Sequence, residues 1–466
     1  MGYYAKKGDS REDVRKGLEA AGIKFLWAQF VDVYGAAKVK QVQFPADFDG
    51  IIDDGAGFAG GAVWGVDQGP HSHDIMARAD IETFRQLPWR PNTALANCSL
   101  FCDDEPYMAC ARQNLIRVMK DFEKEGYLFN GGFEPEHFIF VFNEDGTITG
   151  WDPAGIDTLS KPCYDVRGIS QAADYLQDLM KCLAEVGLNA YQCDHEDANM
   201  QYEINWQYSN ILDSADWCSF FHTMAPQVAA KYGFNVTFMA KPFEDKTGSG
   251  NHLHFHVADA KTGENLFTLP EGEKEWKDER LGYSKLAYHF LGGLIKHMDA
   301  ICAVTSPTVN CYRRIQSGEA VYSSGSEYNW TPAWNSFGDN NRTQMFRSPA
   351  NNRFEDRSVS GLANPYLIGA VYMAAGLDGI RNELDPGEAS YGINVWDLPY
   401  EERRKRGMRP LPQDLGRSVE ALEADDLVMG ALGQIAADYV RIKKKEWGEF
   451  MAHVTNWEVK RYVTLV

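Results

Sequence analysis

Glu134-Pro135-Glu136 stands at the start of an apolar run, Gly132–Phe142, that reads as a strand. Residues two apart on a strand point to the same face, so both carboxylates share one side. Two such charges repel each other unless a cation or a proton sits between them. A solvated strand edge would tolerate the pair, but Phe133, Phe138, Phe140 and Val141 mark a strand that is largely buried.

Three further constellations carry chemistry. Asp194-His195-Glu196-Asp197, with Glu203 close behind, puts five titratable groups within ten residues beside an apolar helical stretch. Hard cations such as Mg²⁺ and Mn²⁺ prefer such carboxylates, although a charged loop would look the same. Gly248-Ser249-Gly250-Asn251-His252-Leu253-His254-Phe255-His256 sets three histidines on alternate positions of one strand face. Imidazoles there can ligate metal or contact phosphate, and the glycines let the backbone approach a ligand closely. The chain has no GxxxxGK[ST] loop, so ATP, if bound, is held without one. The fourth constellation is basic: Arg313-Arg314, then Arg342, Arg347, Arg353 and Arg357, with Glu355 between the last two. Guanidinium groups fork onto carboxylates and phosphates.

A length of 466 residues predicts two domains, one of them large. With 44% hydrophobic and 24% charged residues, a sizeable core is expected and disorder is not. The formal charge of −20 argues against a nucleic-acid partner, but not against ATP, because bound metal ions invert local charge. No apolar run spans a bilayer, and Met1–Ser10 lacks the apolar segment of a signal peptide. Nine scattered cysteines without a CxxC pair fit reduced thiols in the cytoplasm.

Ser10 and Asp13 resemble a capping box that opens a helix ending near Gly22. Lys24–Val33 and Ala37–Phe44 read as a hairpin turning at Tyr34-Gly35. A β-rich N-terminal unit is expected to end near Asp104. Beyond it, helical patterns at Gln113–Glu125, Ala172–Val186, Tyr283–Cys302 and Pro365–Leu377 alternate with strands at Gly132–Phe142, Asn235–Met239 and His252–Val257. Helix–strand alternation predicts an α/β catalytic domain, and the chain as a whole an α+β fold.

Together these motifs resemble the glutamine synthetase superfamily. The family's Glu-Pro-Glu strand, His-Glu…Glu segment and Lys-Pro…Gly-Ser-Gly-x-His-x-His run stand here as Glu134–Glu136, His195–Glu203 and Lys241-Pro242…Gly248–His254. Its Asn-Ser-Tyr-Lys-Arg, Asn-Arg…Arg-x-Pro and Glu-x-Arg…Asn-Pro-Tyr runs stand as Asn310–Arg314, Asn341–Pro349 and Glu355–Tyr366. The resemblance covers nearly the whole chain. It implies a β-grasp domain over residues 1–104 and a catalytic domain over 105–466. It also implies hexameric rings, usually stacked as dodecamers, with active sites between subunits. ATP and two or three Mg²⁺ or Mn²⁺ ions are the implied cofactors. By position, Glu136, Glu196 and Glu203 hold one metal, and Glu134, His252 and Glu355 the other. Gly248, Arg314 and Arg357 grip glutamate. His254, Arg342, Arg347 and Arg353 face the nucleotide and the transferring phosphoryl group, with Tyr208 also on the nucleotide.

Three departures from the family pattern stand out. Phe58-Ala59-Gly60-Gly61-Ala62 puts Ala59 where ammonia-using members carry an Asp. Trp330 in Trp330-Thr331-Pro332 replaces the acid of a Gly-Tyr-Glu-Ala-Pro loop, and Thr247 replaces an Asn of the glutamate site. Ammonium is a small hydrated cation that needs charged partners to leave water. A cage of Phe58, Ala59, Trp64 and Trp330 suits a carbon substituent on the nitrogen, and aromatic faces hold an alkylammonium by cation–π contact. Asp194–Asn199 and Gly55–Gly60 resemble γ-glutamyl-amine ligases within the superfamily. The expectation is therefore ATP-dependent ligation of the glutamate γ-carboxylate to a primary amine, methylamine foremost, through γ-glutamyl phosphate. Glu319 and Glu327 are candidates for the base that deprotonates the amine. The rival readings are glutamine synthetase using ammonia, ligation of a larger amine, a catalytically silent relative, and a metal-dependent hydrolase.

Overall fold

The structure, a computed structural model, describes residues 2–63, 68–317, 330–350 and 352–465. The capping box forms as expected: Ser10 caps helix α1 (Arg11–Ala20), and Asp13 bonds back to the Ser10 backbone. The expected hairpin is β1 (Phe25–Val31) paired antiparallel with β2 (Ala37–Gln43). Gly35 turns it with φ of 81°, where a side chain would also press within 3.0 Å of the Asn364 backbone.

After helix α2 (Phe48–Asp53) come β3 (Ala56–Phe58), β4 (Ile75–Ala79), β5 (Arg85–Leu87), β6 (Arg90–Cys102) and β7 (Glu105–Pro106). They complete a sheet ordered β2-β1-β6-β4-β3, with β5 and β7 also on β6. Strands β1 and β6 run parallel at its centre. Their apolar residues, among them Leu26, Ala28, Ala94 and Ala96, close a core with Val14 and Leu18 of α1.

The second sheet is built around β8 (Tyr127–Phe142), whose sixteen residues pair with five other strands. They are β9 (Ile148–Gly150), β11 (Gln201–Trp206), β12 (Ser209–Asn210), β13 (Asn235–Thr237) and β14 (Asn251–Asp259), with β10 (Ala190–His195) reached through β11. Beyond β14 lie β17 (Arg353–Asp356), β16 (Phe346–Ala350) and β15 (Phe337–Gly338). All these pairs are antiparallel except β15 with β16.

Helices α3 (Ala111–Lys124), α5 (Ile211–Ala229), α6 (Lys285–Thr305) and α8 (Pro365–Arg381) pack as a layer behind this sheet; α4 (Val166–Glu185) packs along β10 and α5, and the short α7 is Cys311–Arg314. Strand alternation decides which side they cover. Phe129 and Phe133 of β8 and Leu253, Phe255 and Val257 of β14 point into the helical core, where Phe290 of α6 stacks on Phe129 at 5.8 Å. The residues between them, Glu134, Glu136, His252 and His254, are thereby turned to the opposite face. The C-terminal 84 or so residues, for which the sequence suggested no elements, form five further helices from Tyr400 to Tyr462. Among the described residues no helix is long and apolar enough to cross a membrane.

A buried ionic knot joins the two sheets. Arg112 of α3 forks onto Asp216 of α5 at 3.0 and 3.0 Å, and donates to Asp80 at 2.7 Å and to Ser99 of β6 at 3.0 Å. Tyr366 donates to the same Asp216 at 2.7 Å. Removing one partner of such a pair strands a buried charge. Arg112→Met should therefore destabilise the protein by about 3–5 kcal/mol in chemical denaturation, and adding Asp216→Leu should recover much of that loss. An unchanged midpoint for the single variant would show that the knot is dispensable.

Candidate active site

Strand register assembles the site. Glu203 of β11 lies opposite Glu136 of β8, and Asp194 of β10 lies opposite Glu203. One row of carboxylates thus crosses three strands, where opposed side chains stand about 5 Å apart. In the next row His252 of β14 faces Glu134. One step further, His254 faces Gly132 on one side and Glu355 of β17 on the other, and Arg347 of β16 faces Glu355. Gly132 leaves room for Tyr208, which a Cβ there would press to 3.1 Å.

The side chains converge. His252 Nε2 is 3.4 Å from Glu136 Oε1, and its Nδ1 is 3.5 Å from Glu355 Oε1. His254 Nε2 is 3.0 Å from Glu134 Oε2. Glu355 receives Arg347 at 2.8 Å and Arg357 at 2.6 Å. Glu136 is held by Gln201 at 2.9 Å and by the Gly250 N–H at 3.0 Å. Arg314, on α7, donates to the carbonyls of Ser358 and Arg357 at 3.0 and 2.5 Å. The glutamates, the two histidines and the three arginines line a cavity of about 680 Å³.

Charge is divided unevenly across it. Burial, then Glu134, Glu196 and Glu136, hold the Glu203 carboxyl well above the usual range. Glu196 is pushed up to about 8, by burial first and Glu136 next. Glu136 is raised as well, burial outweighing the pull of Arg314 and Arg357. Glu355 goes the other way: burial works to raise it, but Arg357, the two histidines and Arg347 hold it low. One end of the cavity is therefore an acidic cluster short of positive charge. Glu134, Glu203 and His252 bring ligand atoms within 4.8 Å of one another, and so do Glu134, His254 and Glu355. Carboxylate oxygens with an imidazole nitrogen at that spacing fit a hard divalent cation.

A second cavity of about 250 Å³ adjoins the first through Glu134, Tyr191, His254 and Arg353. Tyr208 and His256 form an edge-to-face wall of it, ring centres 5.1 Å apart. Burial keeps His256 low, at about 4, so its ring is neutral near pH 7.

The comparisons with known proteins fall on this geometry. Residues 108–462 match the glutamine synthetase catalytic domain. The chain belongs to the glutamine synthetase family. It is similar to a glutamate–methylamine ligase of Methyloversatilis universalis, 39% identical over 97% of this chain and 99% of that one. It is also similar to a glutamine synthetase of Rhizobium leguminosarum, 37% identical over 94% and 95% of the two chains. Among solved structures it matches a GmaS–ADP complex with a TM-score of 0.87 and 36% identity, covering 97% and 99% of the chains. The protein is an ATP-dependent ligase of mixed helix and sheet, in a family that works with ATP and divalent metal ions.

In this ligase the main cavity brings together Glu134, Glu136, Glu196, Glu203, His252, Glu355, Gly248, Arg314, Arg357, His254, Arg342, Arg347, Arg353 and Trp330. Tyr208 stands apart, in the adjoining cavity. Phe58 and Ala59 do not line the cavity of their own chain: Phe58 stacks on Phe30 at 4.3 Å in the N-terminal sheet, and Ala59 is exposed. Trp64, Glu319 and Glu327 lie outside the described residues. The two ligand triads group the residues differently from the family-based expectation, since both include Glu134 and one includes His254.

Sequence reasoning missed Lys161, Cys163 and Tyr164, which line the cavity from the loop before α4. Tyr164 sits at φ 63°, an uncommon conformation for a tyrosine, and its N–H bonds the His195 carbonyl at 3.0 Å. A lone Cys-Tyr between loop residues carries no periodic signal. His195 itself is buried as support: its Nε2 meets Asp157 at 2.8 Å and its Nδ1 the Glu196 carbonyl at 2.9 Å.

The raised carboxyls give a pH test. Glu196 has an ordinary value of 4.5 and is pushed to about 8 in the fold. Between those values the folded state holds protons that the unfolded chain releases, so stability falls as pH rises. Metal-free enzyme should lose melting temperature from pH 5 to pH 8, and Mg²⁺ or Mn²⁺ should restore it most at the alkaline end. Thermal unfolding with and without chelator checks this; equal melting temperatures at both pH values in chelator would contradict it.

Proposed function

We propose that this ligase joins the γ-carboxylate of glutamate to a small primary amine, methylamine foremost, giving γ-glutamylmethylamide, ADP and phosphate. The observation that carries the reading is Trp330, an aromatic wall of the cavity, at a position where the family resemblance implies an acid in ammonia-using members. The similarity to a glutamate–methylamine ligase supports it.

In the proposed division, residues 1–104 form the N-terminal β-grasp unit and 105–466 the catalytic domain. Two or three Mg²⁺ ions would be held by Glu136, Glu196 and Glu203 and by Glu134, His252 and Glu355, with His254 close enough to join. When bound, such ions supply Lewis-acid charge neutralisation for a transferring phosphoryl group. Arg314 and Arg357 would take the glutamate carboxylates, beside the Gly248 backbone. The base of ATP would lie against Tyr208, with Arg353 beneath its phosphates.

The chemistry needs positioning more than covalent help. A γ-carboxylate oxygen attacks the γ-phosphorus, and ADP leaves. The nitrogen lone pair of the free amine then attacks the acyl carbon, the bond to the phosphate oxygen breaks, and the nitrogen loses a proton. Arg342 and Arg347 face the charge that builds up on the phosphoryl oxygens. Glu319 and Glu327 are the proposed acceptors for the amine proton.

The proposed assembly is a dodecamer of stacked hexamers in the cytoplasm. Phe58, Ala59 and Trp64 would then complete a neighbour's cavity; Phe58 and Ala59 do not line the cavity of their own chain. Trp457, Val459, Tyr462, Val463 and Leu465 are exposed large apolar residues at the C-terminus, a surface suited to burial between subunits. Light scattering should report a particle far larger than a dimer; a fully active isolated monomer would refute the shared site.

The nucleophile is tested by comparing methylamine with ammonia at saturating glutamate and ATP. A methyl-sized group in an apolar pocket is worth about 1–3 kcal/mol, so methylamine should lead in kcat/KM by roughly 10–200-fold. The rate should climb with pH as free amine increases. Ala59→Asp should shift the preference toward ammonia. Preference for ammonia in the unmodified enzyme would return the reading to glutamine synthetase, and preference for a bulky amine would retain the class and replace methylamine.

A further inference from the structure

The wall that carries Trp330 does not rest on the main core. Ala333 and Trp334 form a small separate apolar cluster with Val395 and Met408, against which Trp396 and Leu398 are half-buried. Trp396 meets Trp334 edge to face, ring centres 4.5 Å apart. The Arg403 guanidinium covers Trp334 at 4.2 Å and is itself fixed on the Leu398 carbonyl. The indole N–H of Trp396 donates to the Thr331 carbonyl at 3.1 Å, between Trp330 and Pro332, both of which line the cavity.

Residues 393–396 thus act as a strap under this wall. The strap also grips the turn that carries Arg342. Asn341 Nδ2 donates to the Ile393 carbonyl at 2.6 Å, and the Val395 N–H donates to Thr343 Oγ1 at 3.2 Å. These two bonds come from the strap's backbone, whereas the bond to Thr331 comes from one side chain. The two walls can therefore be separated by substitution. The groups read as gripping glutamate and nucleotide stand mainly on β8, β14, β16, β17 and α7, which share the main core and not this cluster.

We propose that Trp396, which does not itself line the cavity, is a positioning residue that sets nucleophile selectivity by fixing Trp330. Loss of this bond would loosen the wall at Thr331, letting water into the pocket and weakening its hold on the amine's carbon substituent. The strap's bond to this wall is a neutral hydrogen bond, and the edge-to-face ring contact holds the indole for it. The inference rests on the reading that Trp330 faces the amine.

The test is steady-state kinetics of the assembled enzyme with each substrate varied in turn. Trp396→Phe keeps a ring against Trp334 and deletes the N–H. It should raise the methylamine KM about three- to tenfold, the range expected for one neutral hydrogen bond. The KM values for glutamate and ATP and the kcat at saturating amine should stay within about twofold, and the preference for methylamine over ammonia should shrink. Trp396→His places its Nε2 where the indole nitrogen stood and should recover part of the preference. Circular dichroism and particle size confirm that each variant is folded and assembled. If all three KM values move together, or if the amine KM does not move in Trp396→Phe, the inference is overturned. Trp330→Glu separates the two levels of the argument. If it leaves amine preference unchanged, the nucleophile reading itself fails. If it changes preference while Trp396→Phe does not, only the strap falls.

Discussion

Asp194, Glu203 and Glu136 stand side by side on three adjacent strands, with Glu134 two residues along β8 from Glu136. Two unit charges about 4 Å apart repel by roughly 4 kcal/mol at an effective dielectric of 20. Burying a phenylalanine or leucine contributes about 1.5–3 kcal/mol. The apolar back of the sheet, with Phe129, Phe133, Leu253 and Phe255 against the helices, is therefore large enough to hold the acidic row in place, but it does not remove the repulsion. Only positive charge does that. On one side Arg347 and Arg357 supply it to Glu355. On the other, Glu136, Glu196 and Glu203 have no such partner at bonding distance among the described residues, and that asymmetry leaves an acidic end of the cavity that suits a divalent cation.

The rest of the fold follows from keeping this sheet rigid. β8 is the spine because it carries both acidic positions and pairs with both flanking halves of the sheet. The helices lie on one face since the other must stay open to polar ligands. The Arg112 knot and the bonds from Asn364 to the carbonyls of Asp32 and Val33 then fix the N-terminal sheet to the same body. Strands place the carboxylates and histidines of the cavity, whereas loops at 161–164 and 330–332 place the far wall. In the proposed reading, chemistry shared by the family and selectivity for the amine would sit on parts of the structure with different tolerance to change.

Much of this was legible. The hairpin at Tyr34-Gly35, the capping box at Ser10 and the strand periodicity at Glu134–Glu136 and His252–His256 are local patterns, and each formed within a few residues of its expected bounds. Less legible were α5, whose apolar residues run almost all round it because it is buried on most sides, and the helices beyond Asn382, whose short amphipathic pieces are broken by turns. Helix–strand alternation also said nothing of strand direction, and the large sheet proved almost wholly antiparallel.

By itself the sequence determined which groups face one another along a strand, since alternation is a property of a single pleated segment. It therefore determined the acid pairs, the histidine row and the arginine supply. The tertiary structure alone decided which pair meets which. Register between β8, β11, β14 and β17 joins residues more than two hundred positions apart, and a slip of one residue would turn every ligand to the core. It alone also brought Tyr164 and Trp330 to one cavity, and set a distant indole under Thr331, because loop positions follow from packing and no periodic code records them.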